Sequence, residues 1–451
     1  MIIQSLLRIY CQIRFAQYLL QFIANIIIPD HDAHVFNPPS WSLNNGTTLI
    51  NLCIDQFFSG LRRWDAVHFL HIARYGYIYE SSLAFFPTYP LLFIRPIAYL
   101  LNQILQESNS YLLKSNSYLL SSITVNFLIG FCNTYLIYNL ALKFHLTPNH
   151  AYWSSILYII NPASIFFLAP YSETLFLFTQ LIGHYFLKSH HIFYSCLCFA
   201  FGSTIRSNGI VSFGFIVYYY LKQKRFFPWY YLIVYVSPFL LTQYYLYKEY
   251  CFEKVISPEF QTYGYEQNLA MPLTNFSSEW CQKSVPLSYQ YVQKTYWNVG
   301  FLKYYTWKQI PNFLLALPVY IIIGSFLKHW FQLVKKDLWR RKLNFLFANK
   351  TDEKINIWLA EKDFLPHIIY MIFLSLFALV FMHIQVATRF LFSSGPFLYL
   401  ICADRIKQYE IRNGNLRKMF YLFKKETFFF YYYMTYVIVG ICLFSNFLPW
   451  T

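Results

Sequence analysis

Asp65 lies in the run Leu61-Arg62-Arg63-Trp64-Asp65-Ala66-Val67-His68-Phe69, a polar stretch between two strongly apolar segments. His68 and His71 follow at spacings of three and six, so on a helix Asp65 and His68 share a face and His71 lies near it. A carboxylate so placed can serve as a general base that takes a proton from a sugar hydroxyl, which requires a suitable pKa and hydrogen-bond reach. Trp64 then offers an apolar platform to the sugar ring. The plainer alternative is an interfacial Asp capping a helix beside an anchoring Trp. An ionisable group at a membrane face is costly without a task, which favours chemistry.

Other charges interrupt apolar sequence in the same way. Glu80 follows Tyr77-Ile-Tyr79 and leads into Ala84-Phe-Phe-Pro87-Thr-Tyr-Pro90, whose prolines and aromatics suit an irregular cleft wall or an ordinary aromatic belt. Glu173 follows Pro170-Tyr171-Ser172 and either binds hydroxyls as a second carboxylate or caps the helix that starts there. Arg206-Ser-Asn-Gly209 breaks one apolar stretch, and Arg389, six residues after His383, ends another. A guanidinium pairs with phosphate oxygens bidentately, so either arginine suits a lipid phosphate, with His383 nearby; snorkelling to headgroups is the alternative. Asp30-His31-Asp32-Ala33-His34 could ligate a divalent ion. It reads more simply as a solvated turn at a helix end.

The elements that must position these groups belong to a membrane protein. Of 451 residues, 57% are hydrophobic and 12% charged, with 48 Phe and 42 Tyr. A soluble chain carries about twice that charged fraction. A single polytopic helical domain over 1–451 with about 8–11 spans of roughly 20 residues is expected. The stretch from Leu6 to Ile28 carries Arg8 and Arg14 and lacks a small-residue cleavage site, so it reads as a retained first span. The +16 net charge is not a nucleic-acid signature, because the basic residues fall in the Lys222–Arg225 run, in 329–364 (8 Lys/Arg) and in 404–427 (7), whereas the longer 248–310 loop has 6. By the positive-inside rule the first three are cytosolic and 248–310 faces away, together with the first polar loop, 29–83. The N-terminal half is one crossing out of step with this, which a Pro-interrupted 85–105 segment dipping in and out would absorb.

No cysteine spacing resembles a zinc site. Cys251 and Cys281 share the 248–310 loop and either pair or stay free, according to the compartment it faces. Sequons at Asn45 and Asn275 lie on the non-cytosolic side of this arrangement, and that at Asn349 on the cytosolic side.

Taken together, these stretches resemble the PIG-V family of GPI mannosyltransferases. The resemblance is carried by Ile28-Pro-Asp-His31, Trp64-Asp65-Ala66 with His68-Phe69, Gly76-Tyr77 with Tyr79-Glu80, and Ala84-Phe-Phe-Pro87. It continues through Tyr171-Ser-Glu173, Arg206-Ser-Asn-Gly209, Tyr296-Trp-Asn-Val-Gly-Phe-Leu-Lys-Tyr-Tyr305, Pro311-Asn-Phe-Leu-Leu-Ala316, Thr388-Arg-Phe390 and Asn446-Phe-Leu-Pro-Trp-Thr451. It implies a GT-C-type fold in the endoplasmic reticulum membrane with luminal catalytic loops. It also implies an inverting α1,6-mannosyl transfer, adding the second mannose, from dolichyl phosphate mannose to mannosyl-glucosaminyl-acylphosphatidylinositol. A small accessory membrane subunit is a further implication.

Under that resemblance Trp64-Asp65 occupies the family's first-luminal-loop motif, with Asp65 as base. A phosphate monoester leaves without protonation, so no paired acid is required, and Arg389 or Arg206 would hold its charge. No metal or cofactor is expected, because the donor has a single phosphate and Asp30-x-Asp32 has no diphosphate to bridge. In the 296–316 stretch Trp297 and Asn298 suit sugar contacts and Lys303 an acceptor phosphate. Packing of that loop explains the same aromatics. Rival readings are another transferase using the same donor on N-glycans or proteins, or a lipid transporter or scramblase; the latter leaves Trp64-Asp65 without a purpose.

Overall fold

An apolar stretch removed from water must satisfy its own backbone polar groups, and the helix does so within one segment. The described residues of the computed structural model, 2–33, 35–39, 49–106, 116–252, 254–272, 278–344, 364–413 and 425–450, accordingly form helices and turns with no strand. All three sequons and Thr451 lie outside them.

The helices are α1 (Ile2–Ile27), α2 (Leu49–Phe58), α3 (Asp65–Tyr75), α4 (Arg95–Gln106), α5 (Ser117–Lys143) and α6 (Pro148–Ile159). Next come α7 (Glu173–Lys188), α8 (Ile192–Ser203), α9 (Phe213–Lys222), α10 (Tyr230–Tyr250), α11 (Pro258–Glu266) and α12 (Ser288–Thr295). The chain closes with α13 (Ile310–Asn344), α14 (Leu365–Phe381), α15 (Ala387–Ser393), α16 (Phe397–Asn413) and α17 (Lys425–Ser445).

α1 shows what solvent this arrangement expects. Its buried face carries Tyr10, Arg14, Gln17, Tyr18 and Gln21, whereas Phe15, Ile23, Ile26 and Ile27 point outward. The same apolar exterior appears at Ile233 and Leu241 on α10, Leu314 and Leu317 on α13, and Ile369 and Phe373 on α14. Continuous apolar surface of this kind is stable only against lipid or a partner.

Among the described residues, Ser117–Lys143 and Trp307–Lys335 are each long and apolar enough to cross a membrane. A third candidate, Ile384–Ser393 with Phe397–Ile406, is bent by 86°. The other apolar helices, such as Ile192–Ser203 and Leu365–Phe381, are shorter. Against the expected 8–11 crossings, the described residues thus hold two unbroken spans, one bent pair and a set of shorter apolar helices. The segments 329–364 and 404–427, read as loops, begin as helix, since α13 continues to Asn344 and α16 to Asn413.

α5 packs on both α6 and α7, with α1 against α5, α6 and α17, and α16 against α6. This cluster contains most of the apolar core and places Asn126 and Asn133 of α5 inside, where they donate to the backbone oxygens of Ala169 and Thr174. A second cluster joins α8, α9 and α10. Two others press the end of α3 and the segment after it against 246–292: Ile72, Tyr77 and Leu83 meet Leu246, Tyr250 and Trp280, while Ile78 and Tyr79 meet Phe260 and Met271. Cys251 and Cys281 are joined in a disulfide, with Cα atoms 5.7 Å apart.

The turn at Arg206–Gly209 depends on a missing side chain. A Cβ on Gly209 would lie 2.6 Å from the backbone nitrogen of Ser203 and 2.7 Å from the carbonyl carbon of Gly202. Backbone atoms cannot rotate away as a side chain can. Tyr235 holds the same residue from the other side, donating to its carbonyl oxygen at 2.6 Å. Gly209→Ala is therefore expected to cost about 1–3 kcal/mol by forcing this turn away from α8. A lowered melting temperature of the detergent-solubilised protein reports it, and an unchanged one would count against the close approach.

Candidate active site

The residue that begins α3 is Asp65, and the residue before it is strained. Trp64 has φ 55°, a left-handed conformation that a bulky side chain adopts at a cost of about 1–3 kcal/mol. The chain turns there so that Asp65 starts the helix, while Trp64 packs edge-on to Phe447 at 6.1 Å. The Asp65 carboxylate pairs with an arginine from a distant helix. Its Oδ2 lies 2.8 Å from Nη2 of Arg389, and its backbone N–H donates to the hydroxyl of Tyr171 at 3.1 Å.

From this pair the charges continue with alternating sign. Arg389 Nε lies 3.9 Å from Glu173 Oε1, and Arg206 Nη1 lies 2.5 Å from the same oxygen. Glu173 is fully buried, and its Oε2 has no hydrogen-bond partner among the described residues. The Arg389 guanidinium also covers the rings of Phe166, at 5.0 Å, and Tyr171, at 5.4 Å. Two carboxylates and two guanidiniums so arranged cancel in charge, which their low-dielectric setting demands. Both ends of the array are partly open, Asp65 and Arg206 each with 20% of the side chain exposed, and Asp65 is the accessible carboxylate of the two.

The local sequence explains the convergence. Pro170 ends the preceding turn and delivers Glu173 to the first position of α7, where the helix dipole also favours an anion. Arg206 leaves the end of α8 in extended conformation before the Gly209 turn. α15 is a short helix whose bend against α16 brings Arg389 to the same point.

The structure brings Asp65, Glu173, Arg206 and Arg389 together, with Trp64 alongside. The other sequence candidates have different surroundings. His68 is sandwiched between Phe36, at 4.1 Å, and Phe85, at 4.6 Å, and its Nδ1 meets the Ser82 hydroxyl at 3.2 Å. Both oxygens of Glu80 are already used: Trp280 Nε1 donates at 2.7 Å and the Tyr296 hydroxyl at 2.6 Å. Glu80 thereby fastens the 248–310 segment to the segment after α3, and burial together with that bond raises the Tyr296 pKa. His383 stacks on Tyr304 at 4.6 Å. Asn298 and Lys303 are exposed and meet each other at 3.3 Å. Trp297 approaches the His68–Phe85 stack edge-on, at 6.4 and 6.0 Å.

Three features were not visible in the sequence. Tyr171 and Phe166 cradle Arg389, although only Glu173 stood out in that turn. Arg63 binds Asp30 at 3.0 Å, donates to the Ser445 carbonyl at 2.9 Å and lies 4.3 Å over the Phe447 ring, tying the chain's two ends together. Beside it opens a cavity of about 720 Å³, bounded by Asp30, Asp32, Phe36, Arg63, Tyr263 and Phe447 among others. Asp30 is thus engaged with arginine. Among the described residues no group of three or more His, Cys, Asp or Glu stands close enough to hold a metal ion.

The profile of the mannosyltransferase (PIG-V) family matches residues 3–451. The chain is 30% identical over 508 residues to the GPI alpha-1,6-mannosyltransferase 2 of Homo sapiens, covering 99% of this chain and 98% of that protein. It is 31% identical over 517 residues to the protein of the same name in Mus musculus, covering 99% and 98%. With the GPI mannosyltransferase 2 of Drosophila melanogaster it shares 32% identity over 461 residues, covering 97% of each chain.

Burial pushes the His68 pKa down to about 4, with the nearby Asp65 opposing the shift. The folded protein therefore takes up this proton less readily than the unfolded chain, whose histidine titrates near about 6.5. Stability is complete above that value and falls as pH drops towards 4. Melting temperatures measured from pH 7.5 to 4.5 should show this decline, and His68→Phe, which keeps the stack, should flatten part of it. An identical pH dependence in the variant would show that the imidazole is not buried in its neutral form.

Proposed function

The chain belongs to the PIG-V mannosyltransferase family, and on that premise we propose that it adds the second mannose, in α1,6 linkage, to a GPI anchor precursor. As a member of that family it is a membrane-embedded glycosyltransferase. The donor is dolichyl phosphate mannose. The acceptor is the 6-hydroxyl of the first mannose on glucosaminyl-acylphosphatidylinositol.

One observation carries the mechanism: a partly exposed carboxylate, Asp65, is held at 2.8 Å by an arginine that a buried carboxylate in turn supports. Asp65 takes the proton from the acceptor hydroxyl as its oxygen attacks the anomeric carbon. The bond from that carbon to the phosphate oxygen breaks, and dolichyl phosphate leaves with the electron pair. Attack opposite the leaving group converts the β-mannosyl donor into an α-mannoside. Arg389, adjoining the base, is the cation nearest to the departing phosphate. Trp64 supplies an apolar face to the sugar.

The disulfide between Cys251 and Cys281 supports a luminal site, because such bonds persist in oxidising compartments such as the endoplasmic reticulum lumen. The segment it closes packs directly on the residues following α3. The site and that loop then share the luminal face.

Expression in cells lacking their own second-mannose transferase tests this reading. The wild type is expected to restore surface GPI-anchored proteins and to consume the one-mannose precursor. Asp65→Asn, expressed equally and melting at the same temperature, should lower transfer about 10²–10⁴-fold, the usual contribution of a general base. Full rescue by the variant would remove Asp65 from the chemistry and leave the reaction standing. Glu173→Gln should act differently, because it takes from Arg206 its carboxylate and leaves Arg389 with Asp65 alone. A loss of about 3–5 kcal/mol is expected, read as reduced folded yield as well as activity. Normal yield with lost activity would instead place Glu173 in direct contact with substrate.

A further inference from the structure

The cavity beside α3 has ligand dimensions. At about 720 Å³ it falls within the range of sites for small organic ligands. Phe36, Tyr263 and Phe447 give it aromatic walls, and the Tyr263 hydroxyl is fixed by the backbone N–H of Asn37 at 2.8 Å. Rigid aromatic faces among polar groups are what a sugar ring requires, since its C–H faces are apolar and its rim forms hydrogen bonds.

The charge of the cavity follows from its pairings. Two arginines line it, and both are already neutralised: Arg62 lies 2.6 Å from Asp55 and Arg63 lies 3.0 Å from Asp30. Asp32 lines the same cavity and is exposed, with no ion-pair partner among the described residues. The surplus charge is therefore negative, so the cavity suits a neutral or cationic polyol and disfavours an anion.

Its position relates it to Asp65. Val67 and Leu70 of α3 line the cavity and Asp65 does not. By helical period those two residues lie on the flank roughly opposite Asp65. Phe447 forms part of the wall and also packs against Trp64. An oligosaccharide occupying the cavity would pass the Trp64–Phe447 pair to reach the base.

We propose that this cavity binds a cationic amino sugar of the acceptor, with the Asp32 carboxylate receiving its ammonium and Tyr263 and Phe447 stacking against its ring. The proposal rests on the transferase reading above: a GPI precursor carries a glucosamine whose free amine is charged at neutral pH, one sugar away from the mannose that reacts.

The test compares two acceptors in microsomes containing the full-length protein and no endogenous activity. One is the one-mannose glucosaminyl-acylphosphatidylinositol lipid, and the other is the same lipid with the amine acetylated. Asp32→Asn should raise KM for the free-amine acceptor about fivefold, the scale of a partly exposed ion pair, and leave kcat in place. It should not change KM for the acetylated acceptor, and Asp32→Glu should recover most of the loss. Tyr263→Ala should raise KM for both acceptors. Equal KM for wild type and Asp32→Asn on the free amine, or an equal rise on both lipids, would overturn the assignment. Absence of transfer to either lipid by correctly localised wild type would instead refute the transferase reading, and this inference would fall with it.

Discussion

Four charges of alternating sign hold the candidate site of this protein together. Asp65, Arg389, Glu173 and Arg206 come from α3, α15, α7 and the turn after α8, which share no sequence neighbourhood. Each charge would be expensive alone in such surroundings, and the desolvation of a buried ion commonly exceeds what a single partner returns. The chain of pairs makes the cost tolerable only when all four elements are in place. The arrangement therefore specifies one geometry more than it adds stability, and that geometry leaves a partly exposed carboxylate at one end. The strained backbone at Trp64 belongs to the same constraint, because α3 must begin where Arg389 can reach its first residue.

A second constraint comes from the surrounding medium. With lipid outside, burying apolar surface between helices brings little, so the interior can be polar where partners exist. α1 follows this logic: Arg14 is buried with its Nη1 donating to Gln17 at 2.8 Å and its guanidinium near the rings of Tyr10 and Tyr158, while isoleucines face outward. Asn126 and Asn133 do the same on α5 by satisfying carbonyls near the turn that delivers Glu173. Polar packing inside the bundle thus supports the charged site from below.

Much of the site was legible because a charge interrupting an apolar run is conspicuous. Asp65, Glu173, Arg206 and Arg389 each stood out in that way. Their pairing was not legible, since nothing in the spacing of distant residues says which arginine meets which carboxylate. Exposed position cannot be read from a sequence motif either. Glu80 and His68 belong to the same stretches as Asp65, yet one is saturated by Trp280 and Tyr296 and the other is enclosed between two phenylalanines. The helical class was clear from composition, whereas the lengths were not. Prolines and bends divide the apolar sequence into short helices, and hydropathy does not distinguish a basic loop from the helical extension seen at the end of α13.

Glu80 has a structural task that its place in a motif does not announce. Its carboxylate joins two segments far apart in the chain, one leading from α3 and one closed by the disulfide at Cys251 and Cys281. Trp280 lies next to Cys281, so the covalent link and the hydrogen bond restrain the same short turn. Trp297 follows Tyr296 directly and reaches the Phe85 ring that covers His68. A shift of the large loop would therefore move the packing of α3 on the side of His68, one turn from Asp65. The loop acts as a brace for the helix that carries Asp65, and the placement of that carboxylate depends on the brace as well as on its pairing with Arg389.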